Sequence, residues 1–128
     1  MAKPVFVFGS NLAGRHGAGA AYHAMKEHGA VYGKGIGHHG NSYAIPTKDE
    51  NIRTLRLAHI QDHIDDFIRY AKEHPELEFH VTAIGTGLAG YSMSEIAPLF
   101  RDAPFNCYFD KIWFWCLPNH KSWGTYDN

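Results

Sequence analysis

Apolar and polar residues alternate along the chain in short blocks that predict strands and helices in turn. Residues 4–8 are a proline followed by β-branched and aromatic residues, and they end at a glycine, which is the pattern of a buried strand. Residues 18–27 then have the apolar spacing of a helix, and His28-Gly29 closes it as helices commonly end. Residues 42–45 predict another strand, which we expect to stop at Pro46 because proline cannot donate to a ladder.

The clearest helical pattern covers residues 53–73, where an apolar stripe opposes a mostly charged surface. Residues 77–84 alternate as a half-buried strand does. Ser92 and Glu95 have the spacing of a capping box, which predicts a helix that opens at the serine. Residues 111–117 are apolar nearly throughout, and this predicts a strand that is covered on both faces.

Less regular segments lie between these elements. Residues 30–32 have the composition of a short strand, and residues 33–40 carry four glycines, which predicts a loop or a bent sheet edge. Pro98 removes a backbone donor, so we expect the helix after Ser92 either to be short or to start later than Ser92. Together the elements predict an α/β fold in one domain over residues 1–128: a three-layer α/β/α sandwich with a mixed, largely parallel sheet.

Composition and charge disfavour several classes of function. The formal net charge is −1, so no basic surplus is available to bind nucleic acid through counterion release. No apolar run approaches the roughly 20 residues of a membrane span, and the N-terminal residues lack the features of a signal peptide. Two cysteines are too few for a disulfide framework, and we expect a cytoplasmic protein with reduced thiols.

The chain has ten histidines, which raises the question of a metal. His59 and His63 are four apart on a predicted helix, as in a zinc pair, but Ile60 occupies the place of the glutamate of metalloproteases. No cysteine lies near them and no third ligand is obvious, so we predict neither a metal site nor a cofactor. His38-His39 lie in the glycine-rich loop, where a solvated role is favoured.

Two glycine-rich loops, residues 9–19 and 85–91, each follow a predicted strand and lead into a predicted helix. Bare backbone permits the close approach of another molecule, and a helix N-terminus favours an anion. Such loops meet beyond the carboxyl ends of parallel strands, so we predict a cleft that holds a diphosphate between them. For the first loop alone, a tight connection that lets the helix pack on the sheet is the alternative.

The candidate ligand-binding residues come from both loops. Ser10, Asn11 and Thr86 supply directional hydrogen bonds, and Tyr91 is placed to cover a ribose or a base. Arg15 suits a bidentate phosphate contact, with an ordinary surface charge as the alternative. The full candidate set is Gly9, Ser10, Asn11, Arg15, Gly17, Ala18, Gly19, Gly85, Thr86, Gly87, Leu88, Ala89, Gly90 and Tyr91.

Residues 85–90 also match the Gly-x-Gly-x-x-Gly fingerprint of dinucleotide-binding proteins. That fingerprint requires an acidic residue about 20 positions further on, at the end of the next strand. Asp110 lies at about that distance, but the predicted strand over residues 111–117 would put it at the wrong end. An NAD-dependent dehydrogenase is therefore disfavoured.

The two loops resemble those of macrodomains, the family of domains that bind ADP-ribose. Asn11 followed by residues 17–23 is similar to their first loop, although loosely. Residues 85–91 match every fixed position of their second loop, Gly-x-Gly-x-x-Gly-aromatic. The resemblance covers about residues 4–116, and the short chain resembles a compact branch of the family that is associated with phages and bacteria.

This resemblance implies that the chain binds ADP-ribose or a related NAD-derived nucleotide, with an ADP-ribosylated protein as a further partner. The diphosphate would lie between the loops, and the distal ribose would lie near Asn11 and Tyr91. Some members hydrolyse ADP-ribosyl or ADP-ribose 1''-phosphate substrates, and in one group an aspartate of the first loop helps to activate water. Gly19 stands at that position here.

For a hydrolase, His16 is the substitute base in the first loop, and Asn11 is the second catalytic candidate. The alternative for His16 is a solvated loop residue. A second hypothesis is a non-catalytic module that sequesters an NAD-derived signal or docks on a partner protein. Trp123 and Tyr126 in the C-terminal tail are either such a docking contact or a flap over the core.

Overall fold

The structure of the chain is a computed structural model that describes residues 3–87 and 89–126. It contains six strands and three α-helices in the described residues. The strands are β1 (Val5–Asn11), β2 (Gly37–His39), β3 (Ser42–Lys48), β4 (Phe79–Val81), β5 (Cys107–Asp110) and β6 (Lys121–Gly124). The α-helices are α1 (Gly19–Glu27), α2 (Leu57–Glu73) and α3 (Met93–Ile96). Two short 3-10 segments cover Ala97–Phe100 and Lys111–Trp113.

The strands form one sheet in the order β2-β3-β1-β4-β5-β6. Every neighbouring pair is parallel except β2 and β3, which are antiparallel. The predicted α/β fold with a mixed, largely parallel sheet is therefore confirmed. Because β1, β3, β4 and β5 run the same way, their carboxyl ends meet at one edge of the sheet, where ligands bind in such folds.

Side chains that alternate along β1 enter two separate apolar clusters. Val5 and Val7 pack in the larger cluster with the buried stripe of α2, which includes Ile60, Ile64, Phe67 and Ala71. Phe6 and Phe8 pack in the smaller cluster with Ala24 of α1. The predicted stripe over residues 53–73 is confirmed as core, although the helix itself begins at Leu57.

Two predictions around β3 are wrong. The strand continues through Pro46 to Lys48, because β2 pairs with it only as far as Ala44, and Pro46 lies beyond that paired part. Residues 30–32 are not a strand; they lead into a turn at residues 32–33, where the Lys34 N–H donates to the Val31 carbonyl at 3.0 Å. The predicted bent edge over residues 33–40 is present as the short strand β2.

The short third helix is confirmed. Its N-terminus has the predicted capping box, and the Ser92 N–H donates to a Glu95 carboxylate oxygen at 2.9 Å. Pro98 lies in the first turn of the following 3-10 segment, where a missing N–H costs nothing. Among the described residues, none of the helices combines the length and apolar character that crossing a membrane demands.

The predicted strand over residues 111–117 is wrong. The strand β5 ends at Asp110, whose carboxylate accepts the Ile112 N–H at 3.0 Å and opens a 3-10 turn. In this turn Trp113 is fully buried, whereas Trp115 is 87% exposed. The polar tail contains a strand that the pattern did not predict, β6, whose Trp123 indole N–H donates to the Val81 carbonyl at 2.9 Å.

The turn after β5 places two tryptophans in opposite environments, and this difference can be tested. Trp113 and Trp115 would face the same side of a strand, but the structure buries the first and exposes the second. We expect Trp113→Ala to lower the free energy of unfolding by about 3–5 kcal/mol, and Trp115→Ala to change it by less than about 0.5 kcal/mol. Chemical denaturation measures both, and similar losses would contradict the turn.

Candidate functional site

The carboxyl ends of four parallel strands open on one cleft of about 640 Å³. The ends of β1 and β3 contribute Ser10 and Lys48, the segment after β4 contributes residues 82–85, and the end of β5 contributes Asp110. Both glycine-rich loops contribute to the same lining. The structure thus brings together two segments that are far apart in the sequence, as expected for loops at this edge of a parallel sheet.

Most of the predicted ligand-binding residues line this cleft. They are Gly9, Ser10, Asn11, Arg15, Gly17, Ala18, Gly19, Gly85, Gly87 and Ala89. The lining does not include His16, Thr86, Gly90 or Tyr91, and Leu88 lies outside the described residues. The sequence analysis missed further lining residues, which are Ala20, Ala21, Thr47, Lys48, Ile52, Thr82, Ala83, Ile84, Asp110, Ile112 and Tyr126.

The helix α1 presents its N-terminus to the cleft. Ala18 precedes the helix in an extended conformation, and no side chain caps it. The first helical residues, 19–21, therefore keep backbone N–H groups that have no acceptor within the helix. Because residues 17–21 line the cleft, these groups and the positive end of the helix dipole form an anion-binding edge.

Ser10 and Asn11 fix the first loop through bonds to its backbone. The Asn11 side chain donates to the Arg15 carbonyl at 3.0 Å and accepts the Arg15 N–H at 2.9 Å. The Ser10 hydroxyl donates to the Gly35 carbonyl. Gly35 approaches so closely that a Cβ there would lie 2.0 Å from the Asn11 carbonyl oxygen, so only glycine is accommodated.

The other polar side chains deep in the cleft are also bonded within the protein. The Thr82 hydroxyl donates to the Val7 carbonyl at 2.8 Å, and Thr47 donates to the Ser10 carbonyl at 3.4 Å. By contrast, Arg15 and Lys48 form no salt bridge within the described part of the chain. The groups left for a ligand are therefore backbone N–H groups and two cationic side chains.

Asp110 lies at the carboxyl end of β5, so its predicted position at the start of a strand is wrong. Its carboxylate is buried and accepts three bonds. One oxygen accepts the Ile112 N–H, and the other accepts the Thr125 hydroxyl at 2.9 Å and the Tyr126 N–H at 3.2 Å. These bonds hold the tail at the cleft, which explains how Tyr126 comes to line it.

The structure does not support a general-base role for His16. Its side chain is fully buried and packs edge-on against Phe8, with ring centroids 5.3 Å apart. The ring Nε2–H donates to the Lys34 carbonyl at 3.1 Å. The alternative of a solvated loop residue is also wrong, because the loop folds this histidine into the protein and away from the cleft.

The second loop is closed by its own bonds. The Thr86 hydroxyl donates to the Ala83 carbonyl at 2.7 Å, and the Gly90 N–H donates to the Gly87 carbonyl at 3.0 Å. The Tyr91 hydroxyl donates to the Leu55 carbonyl at 2.7 Å, and the ring packs against the larger apolar cluster. Tyr91 therefore packs on the protein itself and does not line the cleft.

A second cavity, of about 410 Å³, lies beside the tail. Its walls include Phe6, His23, His28 and Tyr126, and Tyr126 also lines the main cleft. The Nε2 atoms of His23 and His28 are 3.3 Å apart. Burial, and then the neighbouring His23, lower the pKa of His28 below its usual value of 6.5.

A metal site does not emerge from these histidines. Within residues 3–87 and 89–126, no three His, Cys, Asp or Glu side chains are grouped so that they could hold a metal ion. His59 is exposed and His63 is partly exposed on α2. Within the described part of the chain, no third side chain of these types is grouped with the two histidines.

Comparisons with known proteins do not identify a relative of this chain. No family model matches it, and neither the curated proteins nor the solved structures give a match.

The pKa of His28 gives a testable pH dependence. The folded protein binds a proton on His28 less tightly than the unfolded chain does. The free energy of unfolding therefore rises with pH, and it falls progressively as the pH drops below about 6.5. We expect a lower free energy of unfolding at pH 5.5 than at pH 7.5, and a smaller difference in His28→Gln. Denaturation of both proteins, with the exposed His59→Gln as control, measures this. An unchanged difference in His28→Gln would contradict the assignment.

Proposed function

We propose that this chain binds ADP-ribose, or a related NAD-derived nucleotide, with the diphosphate between residues 9–19 and 85–91. The proposal includes a macrodomain-like, three-layer α/β/α arrangement. Its support is the alternation along β1, which directs neighbouring side chains to separate clusters with α1 and with α2. The resemblance of both loops to macrodomain loops supports the choice of ligand.

The proposal rests mainly on which polar groups of the cleft remain available to bind a ligand. Its deep polar side chains already bond to the protein, whereas the N-terminal amides of α1 open on the cleft. Arg15 and Lys48 add positive charge to the same lining. A diphosphate is anionic and only accepts hydrogen bonds, so it matches a site built from donors and cations.

The rest of the lining suits the sugar and base of a nucleotide. Ala20, Ala21, Ala83, Ile52 and Ile112 provide an apolar surface beside the amide-lined part. The cleft volume of about 640 Å³ falls within the range of small-molecule sites. A ligand with both an anionic centre and flat apolar faces therefore fits better than a simple phosphate.

Binding without turnover is the activity that the side chains favour. Asp110 is the one carboxylate among the described residues of the lining, and it already accepts three bonds. His16 lies outside the lining. We therefore propose a module that reads or sequesters the nucleotide, either free or attached to an ADP-ribosylated protein, over a hydrolase.

Docking through the C-terminal tail receives no support from the positions of its aromatic residues. Trp123 donates to the Val81 carbonyl, and Tyr126 packs edge-on against Phe6 with ring centroids 5.7 Å apart. Both rings thus contact the protein's own sheet. The flap alternative describes this part of the tail better than a free partner contact does.

Calorimetry with ADP-ribose, AMP and pyrophosphate tests the ligand. We expect ADP-ribose to bind at least about tenfold more tightly than AMP, because ADP-ribose presents a bridging diphosphate to both loops and AMP has only one phosphate. Equal, millimolar affinities for ADP-ribose and AMP would overturn the proposal.

The role of Arg15 in that site is tested by Arg15→Gln. Loss of a charge-assisted contact to the diphosphate should weaken ADP-ribose binding by about tenfold or more. The control is Arg101→Gln, which removes an exposed arginine that lies outside the cleft lining. Unchanged affinity in Arg15→Gln would show that this arginine is an ordinary surface charge.

Turnover is tested with a labelled ADP-ribosylated protein and with ADP-ribose 1''-phosphate. We expect neither release of ADP-ribose from the protein nor release of phosphate, because no lining side chain offers an uncommitted base. If the wild type does release product, Asp110→Asn and His16→Gln identify the group responsible. Turnover of either substrate would reject the purely binding role.

A further inference from the structure

Ile52 adopts a backbone conformation that isoleucine rarely takes. Its φ is +63°, and it is the one non-glycine residue with a positive φ among the residues that the structure describes. A β-branched side chain in this left-handed region meets its own backbone, so the conformation is sterically costly. Glycine or asparagine would occupy the same position with less strain.

The surrounding turn holds Ile52 in this conformation. An Asp49 carboxylate oxygen accepts the N–H groups of Asn51 and Arg53 at 2.8 and 2.9 Å. The Ile52 N–H itself donates to the Asp49 carbonyl at 3.1 Å. Beyond the turn, the Thr54 hydroxyl donates to the Ala89 carbonyl at 3.2 Å, which ties this segment to the second loop of the cleft.

The strain is not offset by burial of the side chain. Ile52 remains 40% exposed, and it belongs to neither apolar cluster of the protein. Ile52 is instead one of the residues that line the cleft, in the turn that follows β3. Strained backbone conformations persist where the surrounding structure enforces them, and they cluster at active sites and ligand-binding sites.

We propose that Ile52 is a specificity-determining residue that packs against a sugar or base of the bound nucleotide. This inference rests on the proposed function. The side chain carries no polar atom, so it contributes apolar contact and no bond to the diphosphate. Ile52 therefore favours a nucleotide over a bare pyrophosphate, which has no apolar face to cover.

Two substitutions remove the apolar contact and relieve the strain, and two measurements, ligand affinity and Tm, report on these changes separately. Ile52→Asn introduces a residue that tolerates the left-handed conformation, and Ile52→Gly removes the side chain altogether. We expect both to weaken ADP-ribose binding by about tenfold and to leave pyrophosphate binding within about twofold of wild type. We also expect Ile52→Asn to raise Tm by about 2–6 °C, since the strain is relieved.

The matched control is Ile36→Asn, which changes another exposed isoleucine outside the cleft lining. It should leave the affinities for both ligands unchanged, and it should not raise Tm. Calorimetry with ADP-ribose and pyrophosphate, together with thermal unfolding, gives all of the readouts on the full chain.

The outcomes distinguish this inference from the proposed function. If wild type binds ADP-ribose and both Ile52 variants bind it equally well, the inference alone is overturned. Equal losses for ADP-ribose and pyrophosphate also overturn it, because they show that the turn supports the diphosphate site. A lower Tm in Ile52→Asn contradicts stored strain. A wild type that binds no ADP-ribose overturns the proposed function and this inference together.

Discussion

Hydrogen bonds from the polar side chains of the cleft to the protein's own backbone are the interactions on which the site depends. Asn11 closes the first loop on Arg15, Ser10 holds the segment around Gly35, and Asp110 anchors the tail. Each bond satisfies a group that would be costly to leave unpaired in a buried position. Because these side chains hold the loops in place, the backbone amides stay oriented toward the cleft before any ligand arrives.

Much of the fold could be predicted from periodicity because its strongest elements are also its most regular ones. The stripe of α2 recurs at helical spacing and is buried, and β1 begins with four apolar residues and lies inside the sheet. The last strands could not be placed in the same way. An apolar run does not distinguish a strand from a turn that buries Trp113 and exposes Trp115, and β6 is a polar edge strand.

The candidate site could likewise be predicted only in part. Its amide-lined part could be predicted because glycines and small residues mark it within two continuous loops. The remaining lining, such as Lys48, Ile52 and Ile112, comes from other segments that only the sheet order brings together. His16 was predicted to belong to the site and does not, because the sequence of a glycine-rich loop gives no sign that its histidine packs against Phe8.

Tyr126 links the main cleft to the second cavity. Its ring contacts Phe6 and His23, it lines both the main cleft and the histidine-lined cavity, and its backbone is fixed by Asp110. Tyr126 therefore belongs to the lining of both spaces. A displacement of this residue changes the shape of the main cleft and of the histidine-lined cavity together.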